Sequence, residues 1–181
     1  MNIPNLITLA RILLVPVVVW AIASGEMRLA FILFLAAGLS DAVDGFLAKR
    51  FDMATELGAY LDPLADKAMI VSIYVTLAIV GTIPLWLVIL VVSRDIMIVS
   101  AIILSWLVDN PVALRPHMVS KLNTVALIVL ALVVLAANAF GFDADIAIMA
   151  LMALVAVLTL LSVGFYVAEW VRQMNAAESS K

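Results

Sequence analysis

Four aspartates, Asp41, Asp44, Asp62 and Asp66, are the residues of this chain whose type and spacing could do chemistry. The members of the first pair are three positions apart and those of the second pair four apart, so each pair lies on one face of a helix. Both pairs fall inside apolar runs, where an ionisable side chain costs about 3 kcal/mol to insert into a membrane. Because each of four acids within 26 positions carries that cost, together they indicate a functional site.

Helix geometry also predicts that the two pairs meet. At about 1.5 Å per residue, Asp44 and Asp41 lie roughly 9 Å and 13 Å below a membrane boundary at the end of their helix. Asp62 and Asp66 lie roughly 6 Å and 12 Å below the same boundary on the next, antiparallel helix. Such a cluster of oxygens, with no Cys and no nearby His, suits a hard ion, Mg²⁺ or Mn²⁺, and four acids suffice for two ions.

The composition predicts the elements that position these acids. With 67% hydrophobic and 13% charged residues, the chain of 181 residues is typical of an integral membrane protein and not of a soluble domain. We expect an all-α protein with a single membrane domain over residues 1–181. The chain contains no cysteine, which excludes disulfides and thiolate chemistry.

Six apolar runs are each long enough to cross a bilayer as a helix. Their approximate limits are Leu6 to Ala23, Leu29 to Leu47, Ala59 to Val80, Pro84 to Leu107, Asn123 to Phe140 and Ile146 to Trp170.

The distribution of basic residues predicts the orientation of the helices. Lys and Arg near the ends of spans favour the cytoplasmic side. With a cytoplasmic N-terminus, that side carries most of the basic residues, whereas the opposite side has only Arg28. We therefore expect both termini and the carboxylate site at the cytoplasmic face. The basic residues on the predicted cytoplasmic side are Lys49, Arg50, Arg115, Lys121, Arg172 and Lys181.

The run DAVDGFLAKRFDMATELGAYLDPLAD resembles the signature of the CDP-alcohol phosphatidyltransferases, Asp-x2-Asp-Gly-x2-Ala-Arg-x8-Gly-x3-Asp-x3-Asp. The sequence departs from it at one position, where Lys49 replaces the Arg. Lys lacks the planar guanidinium group with which Arg binds phosphate through two hydrogen bonds. The opening NIPNLITLARI and the six apolar runs extend the resemblance across most of the chain. The positions that match the signature are Asp41, Asp44, Gly45, Ala48, Gly58, Asp62 and Asp66.

The resemblance implies a cytoplasm-facing site with two divalent cations, Mg²⁺ or Mn²⁺, in a homodimer. It implies that Asp41, Asp44 and Asp62 bind metal, and that Asp66 both joins the second ion and accepts the proton of an acceptor hydroxyl. That hydroxyl attacks CDP-diacylglycerol and CMP leaves. The residues expected to bind the CDP-lipid are Gly45, Ala48, Lys49, Gly58, Asn5 and Arg11.

The acceptor is predicted from two further segments. SRDIM at Ser93 to Met97 and RPHMVSKLNT at Arg115 to Thr124 resemble cardiolipin synthases that use CDP-diacylglycerol. We therefore expect phosphatidylglycerol as the acceptor, with glycerol 3-phosphate as the alternative. A bacterial inner membrane location is expected, and no nucleic-acid partner.

Three cations are candidates for binding acceptor phosphate: Arg94, Arg115 and Lys121. Each has an alternative interpretation. Arg94 could form an internal ion pair, and Lys121 and the more exposed Arg115 could extend to the membrane interface. Arg11 could likewise be an interfacial anchor, and Asn5 a helix cap.

Two other classes of function remain open. A divalent-cation or proton-coupled transporter could use the four acids as its binding site, but transport needs access from both faces. The outer halves of the second and third spans have almost no polar groups apart from Ser72, Tyr74 and Thr76. In a purely structural protein, the acids would hold helices together by pairing with Lys67 and Arg94.

Overall fold

The structure is a computed structural model that describes the backbone of residues 3–50, 56–107 and 118–178 and the side chains of residues 6–41, 43, 61–101 and 118–172. All regular secondary structure in these ranges is helical, which confirms the predicted class and number of helices. The bounds are α1 Ile3–Ala23, α2 Met27–Arg50, α3 Glu56–Ile79, α4 Leu85–Leu107, α5 Met118–Phe140 and α6 Asp145–Glu178. Several helices extend beyond the predicted apolar runs because polar residues continue their first or last turns.

Glycines end α1 and α3 where the sequence predicts breaks. Gly25 and Gly81 both have φ of 78°, a left-handed conformation that a side chain disfavours. After α1 the Glu26 amide donates to the Ala21 carbonyl (2.8 Å), and the Gly25 amide donates to the Ile22 carbonyl (3.1 Å). This pair of hydrogen bonds satisfies carbonyls at the helix end and reverses the chain within a few residues.

Three helices are long and apolar enough to cross a membrane, judged by length and composition over the residues that the structure describes. Large apolar side chains remain exposed along them, including Leu13 of α1 at 65% and Val157 of α6 at 55%. Exposed apolar side chains of this size are the surface expected for an integral membrane protein. The three segments are Leu6–Ala23, Met118–Phe140 and Asp145–Arg172.

The helices fall into two compact units, each with its own core. The first comprises Met1–Leu85 and Ala131–Asp145. In it α1 packs against α2 and α3, and small buried residues such as Ala37 and Ala65 let the helices approach closely. The end of α5 joins this unit through Phe140, whose ring meets Phe31 edge to face at 5.6 Å.

The second unit comprises Trp86–Leu130 and Ile146–Lys181. It contains nearly all of α4, the first half of α5 and almost all of α6. Its buried apolar side chains include Leu87, Leu130 and Val155. Buried polar side chains also lie in this unit, and their contacts are described below.

Candidate active site

Helix α1 presents two polar side chains to the acid pair of α3. The Thr8 hydroxyl donates to Asp62 Oδ1 at 2.5 Å, and Arg11 Nη1 donates to Asp66 Oδ1 at 2.7 Å. Thr8 and Arg11 are three residues apart and their partners four apart, so each pair occupies one helix face. Since both residue numbers rise together, α1 and α3 run in the same direction through this contact.

Arg11 also joins α2 to the site. Its Nη1 lies 2.6 Å from Asp41 Oδ1, so one guanidinium nitrogen contacts a carboxylate on each of two helices. The Arg11 side chain is 3% exposed, whereas those of Asp41 and Asp66 are 43% and 44% exposed. A buried cation therefore holds two carboxylates whose remaining surface is open to ligands.

This arrangement confirms that one acid of the α2 pair and one acid of the α3 pair converge, and it excludes the alternative interpretation of Arg11 as an interfacial anchor. An interfacial anchor would extend its charge to the membrane surface. Arg11 is instead 4% exposed because its charge is compensated inside the helix cluster. The alternative in which the acids pair internally therefore has a contact in its favour, with Arg11 as the partner.

Several predicted site residues lie outside the described part of the chain. For Asp44, the fourth acid, the structure describes the helical backbone and not the side chain. Arg115 lies outside the described residues altogether. Other predicted residues whose side chains are not described are Asn5, Gly45, Ala48, Lys49 and Gly58.

The chemistry of the donors fits a hard divalent cation. Asp41 and Asp66 bring carboxylate oxygens to the same point, and Mg²⁺ and Mn²⁺ prefer such oxygens. Within the described ranges, however, no three acidic or histidine side chains lie close enough to hold a metal ion. Arg11 contacts Asp41 and Asp66, and Thr8 holds Asp62. The two-ion site predicted from the sequence therefore remains a prediction.

A second polar cluster surrounds Arg94 in the other unit. Arg94 Nη1 lies 2.6 Å from Asp95 Oδ1, and Nη2 donates to the hydroxyls of Ser120 and Ser162. Its guanidinium carbon lies 6.0 Å from the centre of the Tyr166 ring. An ion pair with a helix neighbour, the alternative considered for Arg94, is therefore present. A role in binding acceptor phosphate remains a prediction, as it does for the exposed Lys121.

One helical turn away, a buried hydrogen bond continues this cluster. Thr159 on α6 donates to Asn123 Oδ1 on α5 at 3.1 Å. Thr159 lies three residues before Ser162, and Asn123 lies three residues after Ser120. Both side chains are fully buried. The polar residues thus form two successive layers between antiparallel helices, and they fix the register of α5 against α6.

Sequence reasoning missed Thr8, Ser120 and Ser162. A hydroxyl in an apolar helix can bond its own backbone, so a Ser or Thr alone carries little signal. The available signal was spacing, because Thr8 lies one turn from Arg11 and Ser162 lies one turn from Thr159.

Comparisons with known proteins agree with the signature. The family model described as CDP-alcohol phosphatidyltransferase matches residues 1–167. The cardiolipin synthase (CMP-forming) of Rattus norvegicus is 32% identical, over 91% of this chain and 60% of the rat protein. The human cardiolipin synthase (CMP-forming) gives the same three percentages.

A second kind of relative matches a shorter region. The probable phosphatidylglycerophosphate synthase of Mycobacterium tuberculosis (strain ATCC 25618 / H37Rv) is 37% identical, over 52% of this chain and 48% of that protein. The chain spans about 60% of the length of the rat and human relatives that it matches.

Proposed function

We propose that this chain, which belongs to the CDP-alcohol phosphatidyltransferase family, transfers the phosphatidyl group of CDP-diacylglycerol to phosphatidylglycerol, giving cardiolipin and CMP. The observation that carries the proposal is the meeting of Asp41 and Asp66 at Arg11, which brings the two halves of the signature together. The rat and human cardiolipin synthases, which match over 91% of the chain, support this choice of acceptor.

The proposed reaction is a displacement at the β-phosphorus of CDP-diacylglycerol. The acceptor hydroxyl oxygen bonds to that phosphorus, the bond from phosphorus to the CMP oxygen breaks, and Asp66 takes the hydroxyl proton. Asp66 suits this role because one of its oxygens is fixed by Arg11 while the side chain remains 44% exposed. Thr8 orients Asp62 in the same way through its hydroxyl.

The family is generally dependent on divalent cations, and two such ions, Mg²⁺ or Mn²⁺, would neutralise the charge that builds on the pyrophosphate. Carboxylates projecting from α2 and α3 support this assignment because their oxygens are the ligands that hard ions prefer. The proposed ligands are Asp41, Asp44, Asp62 and Asp66.

Arg11 has a second proposed role. A guanidinium beside the metal-binding carboxylates lies within reach of the donor diphosphate, and Arg binds phosphate well. The residues proposed to bind the CDP-lipid together with Arg11 are Asn5, Gly45, Ala48, Lys49 and Gly58. For the acceptor lipid phosphate we propose Arg94, Arg115 and Lys121, although the contact between Arg94 and Asp95 means that Arg94 must exchange partners to bind it.

All six helices are proposed to cross the membrane, with both termini and the site at the cytoplasmic face of a homodimer. The bias of Lys and Arg supports this orientation. Because the chain has no cysteine, single variants such as Ser24→Cys and Ser180→Cys can be labelled from one side of sealed vesicles. Labelling of Ser24→Cys only from outside and of Ser180→Cys only after permeabilisation supports the orientation, and the reverse pattern overturns it.

A bacterial cytoplasmic membrane is the proposed location. The relative in Mycobacterium tuberculosis supports it, whereas those in rat and human weigh against it. Fractionating the source cells tests this location.

Glycerol 3-phosphate is the second candidate acceptor. The higher identity, 37%, to a probable phosphatidylglycerophosphate synthase over half of the chain favours it. A soluble phosphorylated acceptor needs cations around its phosphate, whereas a lipid acceptor also needs an apolar opening between helices.

The test is CMP release by purified protein in lipid micelles with Mg²⁺ or Mn²⁺ and CDP-diacylglycerol. Phosphatidylglycerol and glycerol 3-phosphate are offered separately. Asp66→Asn should lower the rate about 10²–10⁴-fold, the range expected for loss of a general base. Asp143→Asn, the same change at an exposed acid, is the matched control.

Release with phosphatidylglycerol alone supports the proposal. Release with glycerol 3-phosphate alone overturns the acceptor. An absence of release with a wide panel of acceptors, together with metal uptake into proteoliposomes, would favour the transporter.

A further inference from the structure

Helix α1 holds the acids of α2 and α3 through two side chains of different charge. The neutral hydroxyl of Thr8 donates to Asp62 Oδ1 at 2.5 Å. Arg11 Nη1 instead brings a positive charge to Oδ1 of both Asp41 and Asp66, at 2.6 Å and 2.7 Å. Thr8 is 1% exposed and Arg11 is 4% exposed. One end of the acid cluster is therefore held by a buried hydroxyl and the other by a buried cation.

The Arg11 guanidinium stays in place when another cation approaches. The Arg11 side chain is 3% exposed, so the charged group cannot turn into water. Leaving both carboxylates would create an unpaired buried charge, which is strongly unfavourable. A divalent ion that binds Asp66 therefore lies beside a fixed positive charge. Like charges this close repel each other, and surroundings of low dielectric constant strengthen the repulsion.

Asp62 is held without an added charge. It lies one helical turn, roughly 6 Å, from Asp66 along α3, so an ion at Asp62 is farther from the Arg11 guanidinium. The Thr8 hydroxyl fixes one oxygen of Asp62 and adds no repulsion. A hydrogen bond of this kind orients a metal-binding carboxylate, and the loss of such a partner lowers metal affinity about 10–100-fold.

We propose that α1 makes the two cation positions unequal: Thr8 orients Asp62 for a tightly bound ion, and Arg11 weakens the binding of the ion that Asp66 joins. The inference rests on the divalent cations of the proposed function and deepens it by giving α1 control over their affinities. One ion is then resident, whereas the other exchanges readily. Since the donor diphosphate is proposed to bind Arg11, its negative charge offsets the repulsion and strengthens the second ion.

Mn²⁺ binding to the purified full chain in detergent micelles tests the inference without any lipid substrate. Electron paramagnetic resonance measures the free Mn²⁺ at each step of a titration. We expect two classes of binding site in the wild type, with affinities that differ about tenfold or more. Asp62→Asn should remove the tighter class, and Asp66→Asn should remove the weaker class.

Arg11→Gln removes the positive charge and keeps a hydrogen-bond donor. We expect this variant to bind the weaker ion about tenfold more tightly, the effect of removing a unit charge beside a divalent ion in a partly hydrated site. Arg11→Lys keeps the charge and should leave the weaker class as in the wild type. Arg28→Gln is the matched control, because Arg28 lies 13 positions before Asp41, or roughly 20 Å along α2, where salt screens its charge.

Thr8 provides a second pair of variants, which keeps the inference testable if Arg11→Gln does not fold. Thr8→Val removes the hydroxyl with little change in shape and should weaken the tighter class about 10–100-fold. Thr8→Ser keeps the hydroxyl and should retain the tighter class.

Three results would overturn the inference. An unchanged or lower affinity of the weaker class in Arg11→Gln would mean that Arg11 does not repel the second ion. Loss of the tighter class in Asp66→Asn would reverse the assignment of the two ions. Equal Mn²⁺ binding by Thr8→Val and Thr8→Ser would remove the role of the hydroxyl.

Failure of the proposed function is a different result. If the Mn²⁺ titrations follow the expected pattern but the protein forms no cardiolipin from CDP-diacylglycerol and phosphatidylglycerol, the proposed function fails and the inference stands. If cardiolipin forms while Arg11→Gln and the wild type bind Mn²⁺ equally, the inference alone fails.

Discussion

Replacing Arg11 with Met distinguishes a catalytic acid cluster from a structural one. The change removes two charge-assisted contacts, to Asp41 at 2.6 Å and to Asp66 at 2.7 Å. Each such contact contributes about 1.5–3 kcal/mol when buried, but both carboxylates are more than 40% exposed, so solvent screens part of the loss. We expect a net loss of about 2 kcal/mol, or about 4–8 °C in Tm for a chain of this size.

The assay is thermal unfolding in detergent micelles, followed by tryptophan fluorescence, with EDTA or with saturating Mn²⁺. If a divalent cation binds the same carboxylates, Mn²⁺ should compensate the charge that Arg11 supplied and reduce the difference in Tm between variant and wild type. Arg28→Met is the matched control, because Arg28 is exposed and donates to the Ala139 carbonyl. The Tm of the Arg28→Met variant should fall by no more than about 4 °C, and by the same amount with EDTA and with Mn²⁺.

An Arg11→Met variant with the same loss of Tm in EDTA and in Mn²⁺ would refute the reasoning. The carboxylates would then serve only to hold α1, α2 and α3 together. Arg11→Lys refines the test, because a single nitrogen of Arg11 contacts both acids and one ammonium group should recover part of the stability.

Three further predictions follow from individual contacts. Thr8→Val, which removes a buried hydroxyl from Asp62, should lower the free energy of unfolding by about 1–2 kcal/mol, while Thr8→Ser should not; equal Tm values for the two variants would contradict this. Gly81→Ala should lower the free energy of unfolding by about 1 kcal/mol, because the φ of Gly81 is 78°. Gly38→Ala, within a helix and facing open space, should raise the free energy of unfolding by about 0.5–1 kcal/mol; thermal unfolding shows whether the two changes in Tm have opposite signs. Arg94→Met should lower the Tm by removing the ion pair between Arg94 and Asp95, and adding Asp95→Asn should recover the Tm without recovering cardiolipin formation; recovery of both would show that Arg94 has only a structural role.

The helices and their turns follow closely from the sequence. Apolar runs interrupted by Gly25 and Gly81 predict where α1 and α3 end, because a left-handed residue closes the helix locally. The spacing of Asp62 and Asp66 likewise predicts one face of α3. These are short-range properties, and each depends on a few neighbouring residues.

The partners of the acids do not follow from the sequence, because they depend on contacts between distant segments. Arg11 is 30 positions from Asp41 and 55 from Asp66, and nothing local distinguishes a buried bridging Arg from one at the interface. The Arg94 cluster shows the same limit. Its partner Asp95 is adjacent in sequence, whereas Ser120 and Ser162 reach it only through the packing of α5 and α6 against α4.

The identity of the lipid product tests the central claim most directly. Purified protein is given CDP-diacylglycerol with one pair of acyl chains and phosphatidylglycerol with a different, deuterated pair, and the lipids are analysed by mass spectrometry. The account predicts a cardiolipin that carries both pairs, one from each substrate, formed together with CMP and lost in Asp66→Asn. A cardiolipin with all four chains from phosphatidylglycerol, or no cardiolipin while CDP-diacylglycerol is consumed with glycerol 3-phosphate, would contradict it.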